Sequence, residues 1–197
     1  MENQTLKSIC EAAILAAGEP VSIERLLDLF SPDERPTKSE LKKILLELSE
    51  DYQERGIQLK HLASGYCFQT SESLNIWIKR LWPEKPARYS RAFLETLSII
   101  AYKQPVTRGD IEAIRGVAVN PNIIKALLEQ EWIQVVGQRE VPGRPNLYAT
   151  SNLFLDHFGL KELAELPAFP LPEESKTLKA VLAADNESNA SLDVLEN

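Results

Sequence analysis

ETLSIIAYKQP, residues 95–105, is an apolar run cut off by a polar pair and Pro105, and VTRGDIEAIRGV follows at once. Thr107 stands where an N-cap belongs, with Asp110 three residues on, so each side chain can answer an unpaired backbone amide of the other. The stretch therefore predicts two helices joined by a tight turn. The same arrangement occurs earlier: EAAILAAGEP, residues 11–20, precedes VSIERLLDLF. Pro20 aligns with Pro105, Val21 with Val106 and Ser22 with Thr107, a repeat spaced by 85 residues. Leu45-Leu46-Glu47 likewise answers Leu127-Leu128-Glu129, and CFQTS (67–71) answers YATS (148–151). One small unit is used twice.

Working outward, Leu6, Ile9, Cys10, Ala13, Ile14 and Ala17 fall at helical spacing, with Gly18 as C-cap. A short second helix after Ser22 presents Ile23, Leu26, Leu27 and Phe30. A third, from about Lys38 to Glu54, sets Leu41, Ile44, Leu45, Leu48 and Tyr52 on one stripe. Ile57, Leu59 and then Tyr66 to Gln69 alternate around Ala63-Ser64-Gly65, the pattern of a hairpin. Three helices and a hairpin make a winged helix. Leu74, Trp77, Ile78 and Leu81 form a further stripe, with Ser71 placed to start its helix, and Trp82-Pro83-Glu84-Lys85-Pro86 breaks the pattern.

The second unit repeats the plan. Phe93, Leu97, Ile100 and Ala101 belong to its first helix, and Ile111 and Ile114 to its second. Asn120 and Pro121 open the third, which carries Ile123, Ile124, Leu127 and Leu128. Strands at Ile133 to Val136 and Leu147 to Thr150 flank QREVPGRPN, a wing whose prolines stiffen either side of Arg144. A last helix, Asn152 to Phe158, stops at Gly159. The expected fold is thus mainly α with small β-hairpins (α+β). It comprises two tandem winged-helix domains, residues 1–82 and 90–168, joined by a connector at 83–89 and followed by a disordered acidic tail at 169–197.

Composition narrows the function. The 197 residues are 44% hydrophobic, enough for two small cores, and no run of eighteen apolar residues suggests a membrane span. MENQTLKSIC has no secretion signal, so a cytosolic location is expected. Cys10 and Cys67 lie on apolar positions without CxxC spacing and read as buried, reduced thiols. The net charge of −7 is uneven: residues 1–80 carry 13 acids and 10 bases, 81–160 carry 8 and 9, and 161–197 carry 8 and 3.

Catalysis finds no foothold in this pattern. His61 and His157 are isolated, there is no HExxH, GxSxG or GxxxxGK[ST], and the carboxylates sit mainly on polar helix faces. No catalytic residue, metal or cofactor is expected, and a hydrolase reading has no candidate substrate. A winged helix invites comparison with DNA readers, whose third helix enters the major groove. Here the first unit's third helix has Lys38, Lys42 and Lys43 against Glu40, Glu47, Glu50, Asp51 and Glu54, and the second's has only Lys125 against Glu129 and Glu131. Phosphate neutralisation dominates nucleic-acid affinity, so DNA contact is expected to be weak or indirect. Lys79, Arg80, Lys85, Arg88 and Arg91 around the connector, with Arg139 and Arg144 in the wing, are the alternative basis for a winged-helix DNA-binding transcription regulator.

ETLSIIAYKQPVTRGDIEAIRGV (95–117), LLEQEWI (127–133), VPGRPNLYATS (141–151) and FLDHFGLKELAELP (154–167) together resemble the segregation and condensation protein B family, bacterial winged-helix partners of SMC and kleisin proteins. The resemblance is dense over residues 90–168 and is supported by the repeat in 1–82. It implies a non-catalytic, nucleoid-associated subunit in chromosome condensation and segregation. It also implies a homodimer formed through the N-terminal unit, and binding of the kleisin's central region, with the SMC ATPase reached through the kleisin. Carried onto this chain, the partner-binding candidates are Tyr102, Lys103, Gln104, Arg115 and Arg144. Pro105, Gly116, Gly143 and Pro145 also match the family pattern and have structural readings as turn residues. AVNPN (118–122) departs from the family's shorter entry to the third helix.

Overall fold

The computed structural model describes residues 3–81 and 89–168, so the connector at 83–89, apart from Tyr89, and the tail at 169–197 lie outside the described residues. In the first half, α1 (Asn3–Ala17) buries Leu6, Cys10 and Ile14, the i, i+4, i+8 stripe of its sequence. Pro20 leads into α2 (Ile23–Leu27), where the Ser22 hydroxyl accepts the Arg25 amide at 3.1 Å. α3 (Lys38–Asp51) starts at a reciprocal cap: the Glu40 amide donates to the Thr37 hydroxyl at 3.2 Å, and the Thr37 amide to the Glu40 carboxylate at 2.8 Å. The hairpin of β1 (Ile57–His61) and β2 (Tyr66–Thr70) closes over these helices with Leu59 opposite Phe68. Val21 adds a third short strand by exchanging two 2.9 Å backbone bonds with Tyr66.

After α4 (Asn75–Ile78), the second half builds the same object from α5 (Arg91–Lys103), α6 (Arg108–Arg115), α7 (Pro121–Glu129), β3 (Ile133–Gln138) and β4 (Asn146–Thr150), then adds α8 (Asn152–His157). Val106 bridges Tyr148 as Val21 bridges Tyr66, so the repeat read from the prolines reaches the strand pairing. Thr107 and Asp110 form the reciprocal cap of α6, and Asn120 with Pro121 opens α7, the Asn120 side chain accepting the Asn122 amide at 3.0 Å. The AVNPN entry is firmly held. Val119 is buried, its amide donates to Glu112 at 2.9 Å, and its carbonyl accepts from Arg108 at 2.8 Å.

Each half has its own buried side chains: Leu26, Leu41 and Leu48 at 0% exposure in the first, Ile100, Ile111 and Leu127 at 0% in the second. Truncating one of these to Ala costs about 2–5 kcal/mol, the transfer term plus the cavity left behind. Residues Met1–Glu165 form one compact unit and Leu166–Asn197 another, of which 166–168 are described. Within the first unit the halves touch where the tip of the first wing meets the end of α8. The Ala63 amide donates to the Leu160 carbonyl at 3.1 Å, and the Ser64 amide to Asp156 Oδ1 at 3.0 Å.

Four expectations are corrected. The stripe from Leu74 to Leu81 does not form one helix: α4 is a single turn between 3-10 turns at Glu72–Leu74 and Lys79–Leu81, and Trp77 and Leu81 remain exposed. The Ser71 hydroxyl pairs with Ser73 rather than capping an amide. Ile114 is exposed, because α6 is only two turns long and ends at Gly116 in the left-handed region (φ 72°), leaving Ile111 to carry its core contact. α3 stops at Asp51, before Glu54.

Candidate partner-binding surface

The turn that decides the fold also sets three of the candidates. Lys103 ends α5 and is exposed, Tyr102 is half-buried, and Gln104 is the C-cap, followed by a cis peptide to Pro105. Gln104 is committed to the fold. Its Oε1 accepts the Thr150 amide at 2.7 Å and the Thr150 hydroxyl at 3.0 Å, and its Nε2 donates to the Ala101 carbonyl at 3.1 Å. It ties α5 to β4 and thereby fixes where Tyr102 and Lys103 leave the helix.

Arg115 lies at the other end of α6. Its side chain is only 9% exposed, its Nη2 donates to Glu95 Oε2 at a long 3.4 Å, and its buried Nε meets no acceptor among the described residues. Arg91, one turn back on α5, donates to Glu95 Oε1 at 2.8 Å. Arg91 first, and Arg115 after it, hold the Glu95 carboxyl below its ordinary range. Around this pair in sequence stand Leu94, Ile114 and Val117, all large apolar side chains left exposed. Burial of a guanidinium with incomplete partners is costly alone and becomes favourable when an acceptor reaches it.

The second wing divides its two arginines. Arg139 folds back onto α6, donating to both Asp110 oxygens at 2.8 and 2.7 Å. Arg144 stands at the tip and is exposed. The tip is a fixed turn: the Arg144 amide donates to the Val141 carbonyl at 2.9 Å, Gly143 takes φ 88° and Arg144 itself φ 36°. A loop so constrained presents its guanidinium with less freedom to lose on binding. Tyr102 and Lys103 thus lie at the end of α5, Arg115 at the end of α6 and Arg144 at the tip of the second wing.

Three of the four lysines on the third helices stand beside carboxylates, while Lys42 is exposed and has no ion pair among the described residues. Lys38 pairs with Glu24 at 2.7 Å, Lys43 with Glu47 at 3.9 Å, and Lys125 with Glu129 at 3.5 Å. Among the described residues no three His, Cys, Asp or Glu side chains gather as metal ligands, and no helix is long and apolar enough to cross a membrane. Sequence reasoning missed the Arg139–Asp110 and Arg115–Glu95 pairs, which link elements 29 and 20 residues apart and follow no periodicity. It also missed Thr37 and Glu40, although the TKSE spacing displays their cap openly.

Residues 8–169 match the family described as segregation and condensation complex subunit ScpB. A segregation and condensation protein B homolog of Coxiella burnetii is 54% identical over 161 residues, covering 82% of this chain and 77% of that protein. The segregation and condensation protein B of Syntrophotalea carbinolica is 42% identical over 184 residues, covering 90% and 91%. Among solved structures, ScpB from Mycobacterium tuberculosis is 29% identical and covers 81% of this chain and 98% of that one, with a TM-score of 0.38. A dimer of the ScpB N-terminal domain complexed with ScpA peptide is 28% identical, covering 41% and 92%, with a TM-score of 0.35. The sequence matches run through both winged helices and carry the assignment. The chain belongs to the ScpB family of segregation and condensation complex subunits.

Proposed function

We propose that this chain is a non-catalytic, cytoplasmic and nucleoid-associated adaptor of the SMC–kleisin complex. Its N-terminal winged helix, residues 1–82, forms a homodimer. Its C-terminal winged helix, residues 90–168, binds the kleisin's central region and reaches the SMC ATPase through it. Arg115 and Arg144, with Tyr102 and Lys103, contact the kleisin, while Gln104 positions the turn from which Tyr102 and Lys103 project. Apolar burial supplies most of the affinity and the arginines set orientation.

Family membership is the observation that carries the protein-partner reading over DNA, and the carboxylates beside Lys38, Lys43 and Lys125 add to it by lowering the positive field of the third helices, where Lys42 alone has no ion pair among the described residues. A DNA reader needs those cations free for phosphates. Size-exclusion chromatography with light scattering, on the chain alone and with the kleisin's central region, tests the reading. A dimer that co-elutes with the kleisin fragment is expected. A strict monomer that ignores the fragment overturns it.

A further inference from the structure

The contact between the two winged helices is small and incompletely satisfied. Two successive amides at the tip of the first wing, those of Ala63 and Ser64, donate to the Leu160 carbonyl and to Asp156 Oδ1. The wing offers them rigidly, because Leu62 and Gly65 close the tip with their own backbone bonds of 2.7 and 3.3 Å. Beside the contact the halves stand apart around an open cleft of about 440 Å³, with Pro20, Leu62 and Phe68 on one wall and Trp132, Leu153 and His157 on the other. Asp156 Oδ2 is buried and meets no donor among the described residues. Burying a carboxylate oxygen without a partner opposes closure, while the Ser64 bond to its sister oxygen favours it. Among the described residues the halves are held by few bonds, and halves so joined move relative to one another unless a large apolar interface prevents it.

We propose that this contact is a reversible latch: the tip of the first wing locks onto the C-terminal end of α8 and releases from it, giving the two winged helices a closed and an open arrangement. Release lets water reach Asp156 Oδ2 and frees the wing amides. The inference stands apart from the identity of any partner, since it concerns only how the halves of one chain are joined.

Nitroxide labels on Lys43→Cys in α3 and Lys125→Cys in α7, both exposed positions, report the separation by pulsed electron–electron resonance. An excess of unlabelled chain removes distances between copies. Asp156→Ala deletes the acceptor of Ser64 without harming α8, since Ala is the better helix former. Its longer-distance population should rise several-fold relative to the shorter one, less than the about tenfold of a lost hydrogen bond to a charged group, because the unpaired Oδ2 that opposes closure is removed with it. Asp156→Asn keeps an acceptor for Ser64 and should stay near the parent distribution. Melting curves of both variants confirm that each half remains folded. If the Asp156→Ala distribution superimposes on the parent's, or if Asp156→Asn opens as far as Asp156→Ala, the latch is refuted.

Discussion

Arg139 and Asp110 hold each other by two parallel bonds of 2.8 and 2.7 Å, and this pair joins the base of the second wing to the first turn of α6. Asp110 serves twice, for its Oδ2 also accepts the Thr107 amide at 2.8 Å. The wing and the helix cap therefore share one carboxylate.

That sharing predicts an acid response. The Arg139 bond first, and the Thr107 amide next, pull the Asp110 carboxyl from 3.8 to about 2. A depressed folded value means stability that is present above the unfolded value and is lost as pH falls from near 4 through about 2. Asp110→Asn should flatten the melting temperature over that window relative to the parent. It should also lower stability at pH 7 by about 1 kcal/mol, the scale of a lost cap, or a few degrees in melting temperature.

Gly65 should tolerate no side chain. It takes φ 145°, and a Cβ there would lie 2.3 Å from the Val21 carbonyl oxygen, at the bridge that completes the first half's strands. Gly65→Ala should cost more than about 3 kcal/mol by thermal or urea unfolding. Gly143→Ala, at φ 88° in the second wing with nothing within 4 Å of the added carbon, should cost only about 1 kcal/mol.

The two thiols should be inert while the chain is folded. Burial pushes Cys10 up to about 11 and raises Cys67 as well, with Asp156 adding to the second. At pH 8 the Cys10 thiolate is then about one part in a thousand. A disulfide reagent should titrate neither in the native chain and both, Cys10 and Cys67, in denaturant.

Local chemistry was legible where the signal is short-range. Pro20 and Pro105 announced the repeat, and Ser22, Thr107 and Asn120 cap the helices expected of them. Periodicity failed where burial depends on a neighbour. Ile114 and Trp77 sit at apolar spacing, yet nothing of the described chain covers them. The candidate surface was legible only as residue types. Gln104 matched the family pattern, but its bonds to Thr150, 46 residues away, are set by how α5 meets β4. Arg139 and Arg144 look equivalent in the sequence, and only the folded wing turns one inward to Asp110 and the other to solvent.

Titrating the chain into a fluorescent peptide of the kleisin's central region, and separately into labelled duplex DNA at about 150 mM salt, tests the adaptor reading most directly. The account predicts saturable peptide binding that weakens about tenfold or more in Arg115→Ala, by a smaller factor in Arg144→Ala at the exposed wing tip, and no sequence-selective duplex binding. Peptide affinity unchanged in both variants, or selective duplex binding that persists at this salt, would contradict it.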